Sequence, residues 1–190
     1  MRSFFCALLL CFSALVAHTQ ASAESPLVQN PNIRVGLVSE SSEIAAGQPF
    51  WVALRLLPDE GWHTYWRNPG DTGLPTRVKW QFSDATNVGV IQWPIPERID
   101  YLGLINFGYH GETLLLTQIQ PPTNLEVGSE YLIQGTVKYL VCADVCIPGE
   151  ADVALSLPVA DLPKPSHWSG RLVEQMQALP QSLEPRIAEF

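Results

Sequence analysis

Basic residues are scarce in this chain. Across 190 residues, 11 lysines and arginines stand against 19 aspartates and glutamates, a formal net charge of -8. A surface of that sign repels phosphate backbones and anionic headgroups, so neither nucleic acid nor an anionic membrane is an expected partner. Cysteine is scarcer still, with 4 in all, and Cys6 and Cys11 both fall in the opening stretch. The two that follow, Cys142 and Cys146, cannot make a disulfide-dense scaffold, so an apolar core must carry stability. Long apolar runs are also missing, except at the start. Phe4 to Ala17 reads FFCALLLCFSALVA, about 14 residues where a bilayer span needs roughly 20. Arg2 precedes this run, and Ala21-Ser22-Ala23 ends it with a small-x-small pattern. The pattern predicts a secretory leader over 1–23, cleaved before Glu24, and an exported mature chain with no membrane span, the alternative being an uncleaved membrane anchor.

What the chain has in quantity is short apolar segments separated by turn formers. Ile33 to Ser39 alternates, and Phe50 to Leu57 (FWVALRLL) is the strongest core-strand candidate. Thr76 to Phe82, Val88 to Trp93, Thr113 to Ile119, Tyr131 to Val141 and Ala151 to Leu157 read as further strands. Pro94 and Pro96 stop one of them, because proline donates no hydrogen bond to a ladder. Glu24 to Asn32 reads as a loose lead-in, and Gly61 to Pro75 and Asp100 to Gly111 read as shaped loops rich in aromatics and glycine. Many short strands with no βαβ rhythm predict an all-β sandwich. Leu172, Met176 and Leu179 recur at helical spacing behind Trp168, which predicts an amphipathic C-terminal helix over Ser166 to Leu179. That tail, 161–190, is a helix resting on the domain or the start of a linker. The tryptophans in strands, Trp51, Trp80 and Trp93, are expected to fill the core.

The chemistry concentrates at Val141 to Glu150, VCADVCIPGE. Cys142 and Cys146 would lie about 13 Å apart in a straight strand, and a disulfide needs Cα atoms roughly 4.4 to 6.8 Å apart. The chain must therefore turn at Ala143-Asp144-Val145. Exported thiols meet an oxidising environment, so the pair is expected to close. So short a loop removes little unfolded-state entropy, which favours a bond that opens and closes over a structural staple. Metal binding is the weakest alternative, since His63, His110 and His167 show no ligand spacing relative to the two thiols. Spacing does not say which cysteine attacks. Asp144 disfavours a thiolate by repulsion, and Lys138, four residues before Cys142, acts the other way.

Four stretches carry a resemblance: GWHTYWRNPGDTGLPT at Gly61 to Thr76, IQWPIPERI at Ile91 to Ile99, NFGYHGE at Asn106 to Glu112, and VCADVCIPGEA at Val141 to Ala151. Over about Ile33 to Leu157 the chain resembles the N-terminal periplasmic domain of the thiol:disulfide interchange protein DsbD and of the related suppressor-of-copper-sensitivity membrane reductases. The resemblance implies an immunoglobulin-like β-sandwich over 33–160 with a small redox-loop region and a C-terminal helix. It implies a periplasmic protein-disulfide reductase module, relaying electrons through Cys142 and Cys146. The source would be a membrane electron donor, and the recipients thioredoxin-like or isomerase-like partners. It also implies that Cys146 forms the mixed disulfide, and that a cap loop over Asn106 to Gly111 covers the sulfurs with Phe107 or Tyr109. No cofactor is expected. The family's cysteine gap is wider than the three residues here. The sequence holds neither the membrane part nor the thioredoxin-like part of the full reductases, which leaves a stand-alone module and a fragment both open. Two competing classes stay beside this one: a non-catalytic immunoglobulin-like envelope binding module with a structural disulfide, and a metal (copper) handling protein.

Overall fold

The computed structural model describes residues 22–101 and 103–180. The expected leader lies outside them, apart from its last two residues. The strands are β1 (Val28–Asn30), β2 (Ile33–Ser39), β3 (Ser41–Glu43), β4 (Phe50–Pro58), β5 (His63–Gly70), β6 (Arg77–Gln81) and β7 (Asn87–Val88). They continue as β8 (Glu97–Tyr101), β9 (Leu104–His110), β10 (Thr113–Gln120), β11 (Glu130–Cys142), β12 (Cys146–Pro158) and β13 (Lys164–Pro165). One helix follows, α1 (Ser169–Gln177).

Two antiparallel sheets face each other as an immunoglobulin-like sandwich. The first runs β1-β2-β4-β10-β7 and the second β12-β11-β5-β9-β8, with β6 also pairing with β11. Alternation in the sequence decides the inner faces. Val35 and Leu37 of β2, Val52, Leu54 and Leu56 of β4, and Leu115 and Ile119 of β10 meet Ile133, Val137 and Val141 of β11 and Val153, Leu155 and Leu157 of β12 in one buried core. The opposite face of the first sheet is also covered. Val38, Ala53, Leu114 and Leu116 pack against Trp168 and Leu172, so the C-terminal helix rests on the sandwich. Trp80 and Trp93 pack half-buried against the main core, and Trp51 against the second cluster.

Three segments differ from the sequence reading. The lead-in joins the first sheet as β1, pairing with β2 from Val28 opposite Val35 to Asn30 opposite Ile33. The aromatic stretch from Gly61 and the glycine-rich stretch from Asp100 are strands too, β5, β8 and β9, paired to one another and, through β5, to β11. Glycine and proline weaken the local strand signal there, but tertiary pairing overrides it. Gly108 is required at its position, because a Cβ would lie 2.2 Å from the Thr64 carbonyl oxygen. A register shift between Tyr65 and Gly70 accommodates Pro69.

Candidate functional site

The β11–β12 hairpin ends in the pair Cys142 opposite Cys146. Three residues turn the chain between them, with the Ala143 N–H donating to the Val145 carbonyl at 3.0 Å. The turn closes the Cα atoms to 4.1 Å, and the two sulfurs are joined in a disulfide. Their surroundings are unequal. Cys142 is 1% exposed, at the junction with β5, while Cys146 is exposed at the hairpin end beside Val145, itself 61% exposed. Of the two cysteines, Cys146 is therefore the one that stands towards solvent.

Register sets the neighbours of the buried sulfur. Cys142 pairs with His63 of β5, and His63 pairs with His110 of β9. Residues directly opposite in a ladder project to the same face, so one row runs across three strands. The His63 and His110 rings are 5.3 Å apart, and Nδ1 of His110 lies 3.0 Å from Oε2 of Glu97. His63 is 6% exposed, and its Nε2 has no hydrogen-bond partner. Burial first, and the His110 charge second, push the His63 imidazole below the ordinary histidine value.

Two tyrosines cover the hairpin end. Tyr65, 2% exposed, places its hydroxyl 3.8 Å from Sγ of Cys146 and its ring edge-on to His63 at 5.2 Å. Burial raises its phenol above the usual value, against a hydrogen bond with Thr72 that lowers it. The ring fits because Gly73, at φ +95°, has no Cβ to meet it. The loop before Gly73 is tied to β9, since Asn106 Oδ1 accepts from the Thr72 amide and hydroxyl, both at 2.9 Å. Tyr101, at the end of β8, donates its hydroxyl to the Asp144 carbonyl at 3.0 Å. Between Tyr101, His63, His110, Trp62, Glu60 and Asp144 lies an open cleft of about 410 Å³.

The sequence-predicted residues divide. Cys142 and Cys146 are together. Phe107 and Tyr109 are on β9, two positions apart and alternating with Gly108 and His110, the residues that face Tyr65 and His63. Phe107 packs edge-on to Trp66 at 6.3 Å. Tyr109 is buried in the core and donates its hydroxyl to the Pro94 carbonyl at 2.8 Å. Neither ring shares the face of the sulfurs. Lys138 is drawn to Glu150 at 3.3 Å rather than to a thiol. The sequence displays His63 and Tyr65 in GWHTYW, with His63 weighed only as a metal ligand, but nothing in it sets these two or Tyr101 beside the cysteines. Their role depends on which strand lies beside β11. Among the described residues, no group of three or more His, Cys, Asp or Glu is arranged to hold a metal ion.

Comparison with known proteins agrees with this geometry. A search of curated protein sequences finds no match. Among solved structures, the chain is similar to the N-terminal periplasmic domain of ScsB from Proteus mirabilis, with a TM-score of 0.64 and 21% identity. The match covers 86% of this chain and 62% of that one, so this chain spans less than two thirds of its length. The DsbD N-terminal domain of Neisseria meningitidis in its reduced form aligns at 15% identity over 65% of this chain and 83% of that one, with a TM-score of 0.29, too low to bear on the fold. The family model for the thiol:disulfide interchange protein DsbD, N-terminal, matches residues 34–158, which runs from β2 to the end of β12 and includes both cysteines. The chain belongs to the family of DsbD N-terminal domains.

Proposed function

We propose that this protein is a periplasmic thiol-disulfide exchange domain, a protein-disulfide reductase module that relays electrons through Cys142 and Cys146. One observation carries the roles: a disulfide at a hairpin end joins an exposed residue, Cys146, to a buried one, Cys142. A donor dithiol, held by a membrane electron donor, attacks Cys146 through one thiolate and releases Cys142 as a thiolate. The donor's second thiol then displaces Cys146, leaving both cysteines reduced and the donor oxidised. In the onward step Cys146 attacks the disulfide of a thioredoxin-like or isomerase-like partner. Cys142 then displaces that partner as a dithiol. Two electrons move in each half, and no cofactor is needed.

In this proposal the chain divides into a leader at 1–23, the exchange domain at 33–160 and a tail at 161–190. The sulfurs work under a cap. Tyr65 and Tyr101 touch the redox loop, and Phe107 and Tyr109 support them by fixing β9 against Trp66 and the core. The test joins a potential and a trap. The pair is expected to have a potential above the roughly -300 mV of inert structural bonds, and Cys142→Ser should accumulate a mixed disulfide through Cys146 with periplasmic thiol proteins. A lower potential together with an empty trap would leave the pair a structural staple.

A further inference from the structure

We propose that His63 is the proton acceptor for Cys142, and that His110 and Glu97 continue the path from it to solvent. The proposal rests on the thiol-disulfide function above and deepens it. Once the pair is reduced, Cys142 must lose a proton before it can attack, because the thiolate is the nucleophile. The residue is 1% exposed, so bulk water does not reach its thiol as a base. Its cross-strand partner carries an imidazole. His63 stands directly opposite Cys142 in the ladder, where Cβ atoms lie about 4.5 to 5.5 Å apart.

The other titratable groups around His63 fit the task less well. Tyr65, two residues along the same strand, puts its hydroxyl against Cys146, and burial holds that phenol in its protonated form. Glu60 and Asp144 are exposed at the rim of the cleft, and Tyr101 is engaged with the Asp144 carbonyl. His110, from β9, is the next imidazole in the row. It faces solvent and contacts Glu97 of β8. His63 alone is both buried and left with an unpartnered ring nitrogen. A buried polar atom without a partner is uncommon in native structures, and a redox or catalytic role is one reason for it. Burial also keeps the ring neutral near neutral pH, the form that accepts a proton.

The step balances. In the mixed disulfide, Cys146 Sγ is bonded to the partner's sulfur. The Cys142 thiol gives its proton to Nε2 of His63, and the thiolate attacks Cys146 Sγ. The Cys142–Cys146 bond forms as the Cys146–partner bond breaks, and the partner's sulfur leaves with the electron pair. The proton passes from His63 through His110 to water, or to the leaving thiolate. The two protein thiols are oxidised and the partner's disulfide is reduced.

The test uses the reduced protein and a chromogenic aromatic disulfide, dithiobis(nitrobenzoate). One coloured thiolate is released when Cys146 attacks and a second when Cys142 closes the bond, so the two phases separate the cysteines. In the wild type, the second phase should fall on the acid side as His63 becomes protonated. His63→Gln should slow that phase on the order of a hundredfold near neutral pH and make it climb with pH like an unassisted thiol, while the first phase stays unchanged. His110→Gln should move the acid limb to higher pH, because His63 loses the neighbour that opposes its charge. A second phase of wild-type rate and pH profile in folded His63→Gln overturns the proposal. If that variant does not fold by circular dichroism, an unmoved acid limb in His110→Gln overturns it. Absence of the first phase in the wild type would instead refute exchange at Cys146, the function on which the proposal rests.

Discussion

Tyr65 reaches Cys146 because of what Gly73 lacks. A Cβ on Gly73 would sit 2.3 Å from the Tyr65 ring, and the backbone there has φ +95°, a conformation that alanine adopts only under strain. Gly73→Ala is therefore expected to cost about 1 to 3 kcal/mol and to push the ring away from the sulfur. Access is one of the factors that set thiol exchange rates. The oxidised Gly73→Ala protein should react faster with a small thiol, as should Tyr65→Ala. Phe107→Ala and Tyr109→Ala should speed exchange through loss of support to β9, with Tyr109→Ala also lowering stability by about 3 to 5 kcal/mol, the scale for truncating a buried aromatic. Stopped-flow exchange rates, read beside urea midpoints, check this. Rates equal to wild type in all four folded variants would remove the cap.

At the scale of elements, the redox hairpin is an extension of the longest ladder. β11 and β12 are each 13 residues and pair from Glu130 opposite Pro158 to Cys142 opposite Cys146. The disulfide closes only the last rung, and so short a loop removes about 2 kcal/mol or less of unfolded-state entropy. The inner face of this ladder, with Ile133, Val137, Val153 and Leu157, lies in the main core. Mild reduction should therefore leave a cooperative thermal transition with a modestly lower midpoint. A reduced protein that melts without cooperativity would mean that the bond holds the sandwich together. That result would favour a binding module with a staple over an exchange domain, since a relay must stay folded in both redox states.

The whole molecule should answer acid in two stages, each with its own sign. The unfolded chain takes up a proton at His63 near the ordinary value of 6.5, and the folded chain resists it because burial and His110 oppose the charge. Stability from this site is present above about 6.5 and falls as pH drops from there towards the lower folded value. Glu112 acts further down. Burial alone would raise its carboxyl, but hydrogen bonds and charges from Arg171 and Arg55 outweigh that and hold it below the ordinary 4.5. Its contribution is present above that value and is lost as pH falls through its depressed folded value. This carboxylate ties α1 to the first sheet. Arg55 and Arg171 both contact it, and both guanidiniums lie over the Trp168 ring, at 5.0 and 5.4 Å. Arg171 is half exposed, so solvent screens part of the attraction, and Glu112→Gln is expected to cost about 1 to 2 kcal/mol at neutral pH. Thermal midpoints across pH check both stages. His63→Gln should flatten the slope on the acid side of 6.5, and the deficit of Glu112→Gln should shrink well below 4.5. Parallel curves for either variant and wild type would rule out that stage.

The sequence by itself determined the alternation that turns one face of β2, β4, β11 and β12 to the main core, the helical spacing behind Trp168, and the nearness of Cys142 to Cys146 along the chain. Each is a local property, decided by the period of the backbone or by a few consecutive residues. Only the tertiary structure decided that the stretches from Gly61 and Asp100 are strands, because their glycines and prolines mask a pairing made with distant segments. It also decided which cysteine is exposed. Cys142 and Cys146 are four positions apart and chemically alike, and the difference between them is that Cys142 is paired into the ladder with β5 while Cys146 stands at the exposed hairpin end. The same cause places His63 opposite Cys142, Tyr65 beside Cys146, and Phe107 and Tyr109 on the other face of β9. Register between strands far apart in sequence selects the face on which each side chain stands, and a shift of one residue would have exchanged them.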